Sequence, residues 1–270
     1  MTKEDQATLS SKQKTAGAKP KQPKEVVKAV QQKASGKKKE ASSQESDESN
    51  PFPNCGFPFL DPEVKLDTKV ESKRRPLPKR DPKTNELIFE DHPEFRPNLT
   101  PKEVLRRGSF GGTYFRSIPS GVTGKKYQGK EVIKELPADW FHGMSVDSQL
   151  CSQKYREAAN RFGVKCGQTL DQWESSGWIK KQDPYGAFQW YCRFYLGRRS
   201  SDDKRQISRF NGVMRGRFSG NLIRQIVTKG RPYNDAGVSP VIRQTLQHWG
   251  YVLTERDFKK YCKSKGLRCQ

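Results

Sequence analysis

Residues 185–199 read YGAFQWYCRFYLGRR, an unusually aromatic stretch in which six of the first eleven side chains carry rings. At about 100° per residue these rings occupy two adjoining faces of a helix, one with Phe188, Tyr191 and Tyr195 and the other with Trp190 and Phe194. A helix that is apolar on nearly every side is typical of a buried position. We therefore predict that this segment is a central helix of the core.

A second interpretation of the same helix leaves some of its rings exposed, so that they stack on nucleic-acid bases beside Arg193. Arg198 and Arg199 follow Gly197 directly, and we expect them to project from the end of the helix into solvent. The two interpretations are compatible, because a buried helix can still end in an exposed pair of arginines.

Helix-start signals recur on both sides of this segment. Thr100 precedes Pro101 and is followed three residues later by Glu103, which is the pattern of a capped helix with proline in its first turn. Further starts are predicted at Thr169, Asp183-Pro184, Ser201-Asp202-Asp203, Asn221, Ser239-Pro240 and Thr254. Residues 212–220 contain three glycines and are predicted to form a loop. The fold class expected is mainly α, a helical domain with a few short strands or extended segments.

Composition divides the chain into three parts. Its 270 residues carry a formal charge of +22 and are only 32% hydrophobic, below the roughly 45–50% apolar share of a globular domain. Residues 1–50 have no aromatic residue and hold 11 lysines against seven acidic residues, so we predict a disordered lysine-rich tail. Residues 51–86 are predicted to be a proline-rich extended arm, and residues 87–270 a basic, α-rich folded domain.

Positive charge and aromatic rings coincide in residues 151–270, which hold 24 basic and nine acidic residues and four of the five tryptophans. Guanidinium groups bind phosphate bidentately and stack on rings. We therefore predict a nucleic-acid-binding protein, for DNA or RNA and without enzymatic activity, as in chromatin or a ribonucleoprotein. The residues predicted to bind are Arg193, Arg198, Arg199, Arg205, Arg209, Arg215, Arg217 and Arg224. Two alternatives stay open, a nucleic-acid-modifying enzyme and a scaffold for an acidic protein partner.

The search for chemical motifs gives no catalytic set. Residues 108–112 read GSFGG and offer backbone N–H groups, but they lack the spacing of a P-loop, and a tight turn explains them better. The six cysteines and three histidines show no spacing typical of a metal site. The sequence thus predicts no cofactor and no metal, and it leaves the catalytic residues unknown. No basic amphipathic helix or long apolar run points to a membrane partner.

A basic run in the proline-rich arm predicts nuclear localisation. It consists of Lys73, Arg74, Arg75, Lys79 and Arg80. Import signals of this type must lie in an accessible segment, which an extended arm would provide. The cytoplasm is the alternative location.

Four further segments resemble an uncharacterised eukaryotic protein family. They are FRPNLTP at residues 95–101, GSFGGTYFR at 108–116, WESSGWI at 173–179 and SPVIRQTL at 239–246, together with the aromatic stretch. The resemblance covers about residues 87–258 and implies that this span is one domain. It carries over no activity and no catalytic residues.

Overall fold

The aromatic segment forms a helix at the centre of the folded unit. The computed structural model describes Phe52 and residues 56–268, and the tail predicted to be disordered lies outside the described residues. Within the described part, eight α-helices account for most of the regular structure: α1 (Pro101–Arg106), α2 (Gly129–Val132), α3 (Leu170–Ser175), α4 (Ala187–Tyr195), α5 (Asp203–Met214), α6 (Arg217–Thr228), α7 (Pro240–His248) and α8 (Glu255–Lys265).

Strands are few and short. Antiparallel pairs join β1 (Lys79–Arg80) to β2 (Leu87–Ile88) and β3 (Ile118–Pro119) to β4 (Lys126–Tyr127). The 37 residues between α2 and α3 are mostly irregular and contain only short helical turns, such as Ala138–Trp140 and Val146–Leu150. The expectation of a mainly helical fold with a few short strands is confirmed.

Ring-to-ring packing around α4 builds the core. The Phe95 ring lies 5.3 Å from that of Phe89, 5.7 Å from that of Trp190 and 5.4 Å from that of Phe210. The Trp190 Nε1–H donates to Asp203 Oδ1 at 2.8 Å, which fixes the start of α5 against α4. Trp190 and its aromatic neighbours on α4 are buried, apart from the half-buried Tyr195. The prediction of a core helix is therefore confirmed, and every ring on α4 is buried or half-buried.

Local capping signals locate several helix starts correctly. Thr100 and Thr169 each form a capping box, with Glu103 and Gln172 respectively, and the Thr254 side chain accepts the N–H of Asp257. Each of these bonds joins residues three positions apart, so the sequence pattern is sufficient to predict it.

Two predicted helix boundaries are wrong. Helix α4 begins after Gly186, so Asp183 is not its N-cap; the Asp183 carboxylate is buried and pairs with arginines instead. The predicted glycine-rich loop at residues 212–220 is the end of α5 and the start of α6, separated only by Arg215 and Gly216. Burial of Met214 and Leu222 on these helices stabilises them despite their glycines.

The proline-rich segment packs along the helical part. Residues 69–75 run beside residues 197–201, with Glu71 N–H donating to Arg199 O and Arg75 N–H donating to Gly197 O, both at 2.9 Å. Gly197 permits this approach, because a Cβ there would lie 2.2 Å from Arg75 O and its φ of +95° disfavours other residues. Phe59, from the same segment, is buried in the core.

Candidate functional site

Arg193 and Arg198 are buried in an ion-pair network centred on Asp183. The Arg198 guanidinium makes two parallel bonds to Asp183, at 2.8 and 2.6 Å, and its side chain is 0% exposed. Arg193 contacts Asp183 at 3.1 Å and makes a bidentate pair with Glu135 at 2.9 and 2.6 Å. Burial alone would lower the pKa of Arg193, but Glu135 and Asp183 outweigh it and raise the pKa above its usual range.

Arg199 is also buried, and its guanidinium is bonded to a carboxylate. It pairs bidentately with Asp91 at 2.7 and 3.0 Å, and its guanidinium lies 3.7 Å from the centre of the Phe194 ring. The prediction that Arg198 and Arg199 project into solvent is wrong. Residues 69–75 cover the end of α4, and a buried guanidinium must be neutralised by carboxylates. Arg193, Arg198 and Arg199 therefore stabilise the fold and have no exposed surface with which to contact a phosphate.

The other five predicted arginines lie on α5, on α6 or between them and reach solvent to different degrees. Arg205 pairs with Asp202 at 2.6 Å, and Arg215 shares Glu86 with Arg256. Arg217 is exposed and lies over the Phe218 ring, and Arg224 is exposed and donates to the Tyr261 hydroxyl at 2.8 Å. The structure thus spreads these residues along two helices and does not gather them into one site.

Arg209 differs from the others in its surroundings. Its guanidinium carbon lies 5.3 Å from the centre of the Trp178 ring and 5.4 Å from that of Trp249. Among residues 56–268 no carboxylate oxygen is within ion-pair distance of it; its nearest polar contact is Gln206 Oε1 at 3.1 Å. Partial burial and repulsion by Arg205 lower the pKa of Arg209 to about 10. Arg209 stays charged at neutral pH and would gain from an added anion.

An aromatic cavity of about 340 Å³ lies next to Arg209. Its walls come from residues 110–118, from the irregular segment 153–173, and from α4, α5 and α7. The rings that line it belong to Phe110, Tyr114, Tyr155, Trp173, Tyr185, Phe188, Phe210, His248 and Trp249. Arg116 and Lys165 also line the cavity, and of the described side chains around it none is acidic. Trp249 lines this cavity, which we call the aromatic cavity, and also contacts Arg209, so Arg209 neighbours one wall residue without lining the cavity itself.

The glycine-rich turn at residues 108–112 contributes Phe110 to the wall of the aromatic cavity. The N–H of Gly111 donates to Asn160 Oδ1 at 2.8 Å, and that of Phe110 donates to His248 Nε2 at 3.0 Å. A Cβ on Gly111 would lie 2.6 Å from the Tyr155 ring. The turn therefore brings Tyr155 into the wall, and these two N–H groups are not available to a phosphate.

The titratable groups of the aromatic cavity are poorly suited to acid–base or nucleophilic chemistry. Burial lowers the pKa of His248 to about 3, so its imidazole is neutral at physiological pH. Burial also raises the pKa of the Cys166 thiol, although Thr245 opposes this at a distance of 3.1 Å between Sγ and Oγ1. A raised thiol pKa leaves little thiolate at neutral pH. The described walls of the cavity are therefore chiefly aromatic surface with a neutral imidazole and a protonated thiol.

The basic run predicted as an import signal is held against the folded unit. Arg75 pairs with Glu71 at 2.6 Å. Arg80, on strand β1, pairs with Glu103 of α1 at 2.7 Å. Arg74 lies over the Phe57 ring, whereas Lys73 is exposed and Lys79 pairs at the surface with Glu90. The expectation that this run lies in a freely accessible arm is wrong, because its arginines find carboxylates and rings on the domain.

Sequence reasoning missed the residues that matter most here. Asp183, Glu135 and Asp91 neutralise the buried arginines, and Tyr155 and Trp173 complete the cavity. They lie far apart in the sequence from their partners, so no local spacing reveals them. Their only sequence signal is indirect: an arginine pair directly after an apolar helix needs carboxylates if it is buried.

Two general findings bear on partners. In the part of the chain that the structure describes, no helix combines the length and apolar character needed to cross a bilayer. Within the same residues, no three histidine, cysteine or acidic side chains are placed to hold a metal ion.

Comparisons of the chain with protein-family models, with curated proteins and with solved structures find no significant match.

Proposed function

We propose that this protein binds nucleic acid at the aromatic cavity and at the neighbouring Arg209. One observation carries the proposal: Arg209 lies between two tryptophan rings with no carboxylate partner among the described residues, beside a ring-lined cavity. A guanidinium in this setting offers planar donors to a phosphate, and the cavity rings nearby offer faces to a base. Nucleic acid supplies both groups at a fixed short spacing.

Charge around the aromatic cavity supports an anionic ligand. Arg116 and Lys165 line it, Arg209 contacts its Trp249 wall, and none of the described lining residues is acidic to oppose them. An acidic protein would also be attracted to these cations, but it would not use the ring faces. The proposed role is binding and not turnover, in keeping with the raised pKa of Cys166 and the lowered pKa of His248.

The test is the salt dependence of oligonucleotide binding. Fluorescence anisotropy of a labelled thymidine decamer with the full chain should give a linear fall of log affinity with log salt, with a slope of about −0.7 per phosphate contact. Arg209→Gln should flatten the slope by about 0.7 and weaken binding. Arg231→Gln is the matched control, because Arg231 pairs with Asp235 at 2.6 Å away from the cavity.

Two results would contradict the proposal. The first is no binding of DNA or RNA decamers at about 50 mM salt, a low concentration at which phosphate contacts are strong. The second is equal or tighter binding of a glutamate decamer, which would favour the acidic protein partner.

A further inference from the structure

We infer that the aromatic cavity receives one unstacked base of a single strand, while the cations at its margin hold the adjoining phosphates. This inference rests on the proposed function and adds the form of nucleic acid that is recognised. A base within a duplex has both faces stacked and one edge paired, so it cannot present its faces to the walls of a cavity.

The size and lining of the cavity fit a single planar ring system. A volume of about 340 Å³ lies at the lower end of the range of roughly 300–1,000 Å³ found for small-molecule sites. Phe110, Phe188 and Trp249 contribute ring surface from three separate parts of the chain. Aromatic side chains bind every base through its faces, because each base has a π-face.

The tyrosine hydroxyls and the imidazole on the walls are already bonded within the protein. The Tyr114 hydroxyl donates to Tyr185 O at 2.7 Å, and the Tyr185 hydroxyl donates to Arg116 O at 2.8 Å. The Tyr155 hydroxyl donates to Cys166 O at 3.2 Å, and His248 Nε2 accepts from Phe110 N–H. These groups are therefore committed, and the walls offer mainly ring faces. We expect recognition by stacking with weak preference among bases.

The charge of the lining selects a nucleotide over other planar or apolar occupants. A cationic ligand such as a quaternary ammonium uses ring faces together with nearby carboxylates, but Arg116 and Lys165 would repel it. An uncharged apolar ligand would leave the cations at the margin without a partner. A base with phosphates on either side satisfies both the rings and the cations.

The decisive experiment compares two decamers that have the same number of phosphates. One is a thymidine decamer, and the other has abasic sugars throughout; a uridine decamer is added to distinguish RNA from DNA. If a base enters the cavity, the full chain should bind the abasic decamer about 5- to 150-fold more weakly, the range expected for one stacked base. The salt slopes of the thymidine and abasic decamers should match, because their phosphates are the same.

Variants of the chain locate the effect. Trp173→Ala removes a wall of the aromatic cavity and should reduce the difference between the two decamers. Phe162→Ala is the matched control, because Phe162 lies in the same segment but does not line the cavity. The comparison of decamers on the unmodified chain needs no variant, so a misfolded Trp173→Ala protein would not leave the inference untested.

The outcomes separate this inference from the proposed function. Equal binding of the thymidine and abasic decamers, with a normal salt slope, would overturn the base-in-cavity inference and leave nucleic-acid binding intact. A duplex decamer that binds as tightly as the single strand would also overturn it. Failure of every decamer to bind would overturn the proposed function itself.

Discussion

At the scale of single residues, identical side chains lie in opposite surroundings. Arg198 and Arg209 lie eleven positions apart, yet Arg198 is enclosed by the Asp183 carboxylate and Arg209 has two tryptophan rings and no such partner among the described residues. Removing a buried charge strands its partner, whereas removing an unpaired surface charge does not. Measuring the loss of stability on substitution can therefore separate buried, paired arginines from arginines that have no carboxylate partner.

We expect Arg198→Ala to destabilise the protein by about 3–5 kcal/mol, because it leaves the Asp183 carboxylate buried and short of its bidentate partner. Urea denaturation measures this loss. Arg217→Ala, at an exposed position over Phe218, should change stability by less than about 0.5 kcal/mol. A nearly unchanged Arg198→Ala midpoint, combined with a flattened salt slope for the decamer, would instead make Arg198 a phosphate contact.

His248 should make stability sensitive to acid. Its pKa falls from 6.5 to about 3 on burial, so the unfolded chain takes up the proton first as pH decreases. The stability contributed by the neutral imidazole is complete above pH 6.5 and is lost as pH falls toward 3. Between pH 6.5 and 5.0 this amounts to about 2 kcal/mol.

Denaturation of the wild type and of His248→Gln at both pH values tests this expectation. The variant should lose about 2 kcal/mol less than the wild type over that interval. His142→Gln, which removes an exposed imidazole, is the control. Parallel pH profiles for the wild type and His248→Gln would show that the buried imidazole is not responsible.

At the scale of helices and strands, a helix start could be predicted when the residues that fix it lie close together in the sequence. The starts of α1, α3 and α8 follow from threonine caps that act over three residues. The start of α4 was not predicted correctly, because Asp183 does not cap this helix. Its carboxylate instead accepts from Arg198, fifteen positions away in the sequence. Helix α6 contains Gly220 because Tyr261 packs against it; a Cβ would lie 3.0 Å from the Tyr261 hydroxyl. Glycine there indicates close packing and not a loop.

The aromatic cavity could not be predicted at all, because the residues that line it are far apart in the sequence. The position of α4 in the core could be predicted because its rings lie close together in the sequence. The cavity joins Phe110, Tyr155, Trp173 and Trp249, which no period or motif connects. Of the eight arginines predicted from charge alone, Arg209 is the one found in contact with a ring of the cavity wall. Composition predicted the kind of ligand to propose, but only packing could locate a site for it.

At the scale of the whole molecule, the boundary of the folded part can be tested by truncation. Removing residues 1–50 should leave the thermal midpoint nearly unchanged, because that segment has no aromatic residue to bury. Removing residues 1–78 should cost at least about 3 kcal/mol, since it deletes the buried Phe59 and uncovers the end of α4. Differential scanning calorimetry of the two truncations measures both effects. Equal loss in both would place an essential contact within residues 1–50.

The pairing of residues 69–75 with residues 197–201 has a consequence for synthesis on the ribosome. Glu71 emerges 128 residues before Arg199, its backbone partner. The earlier segment therefore has nothing to dock against until α4 has left the exit tunnel, and closure of this long loop comes late in folding. Until then the nascent chain carries its basic run uncovered. The basic residues that contact carboxylates and rings in the folded protein are thus accessible during much of its synthesis.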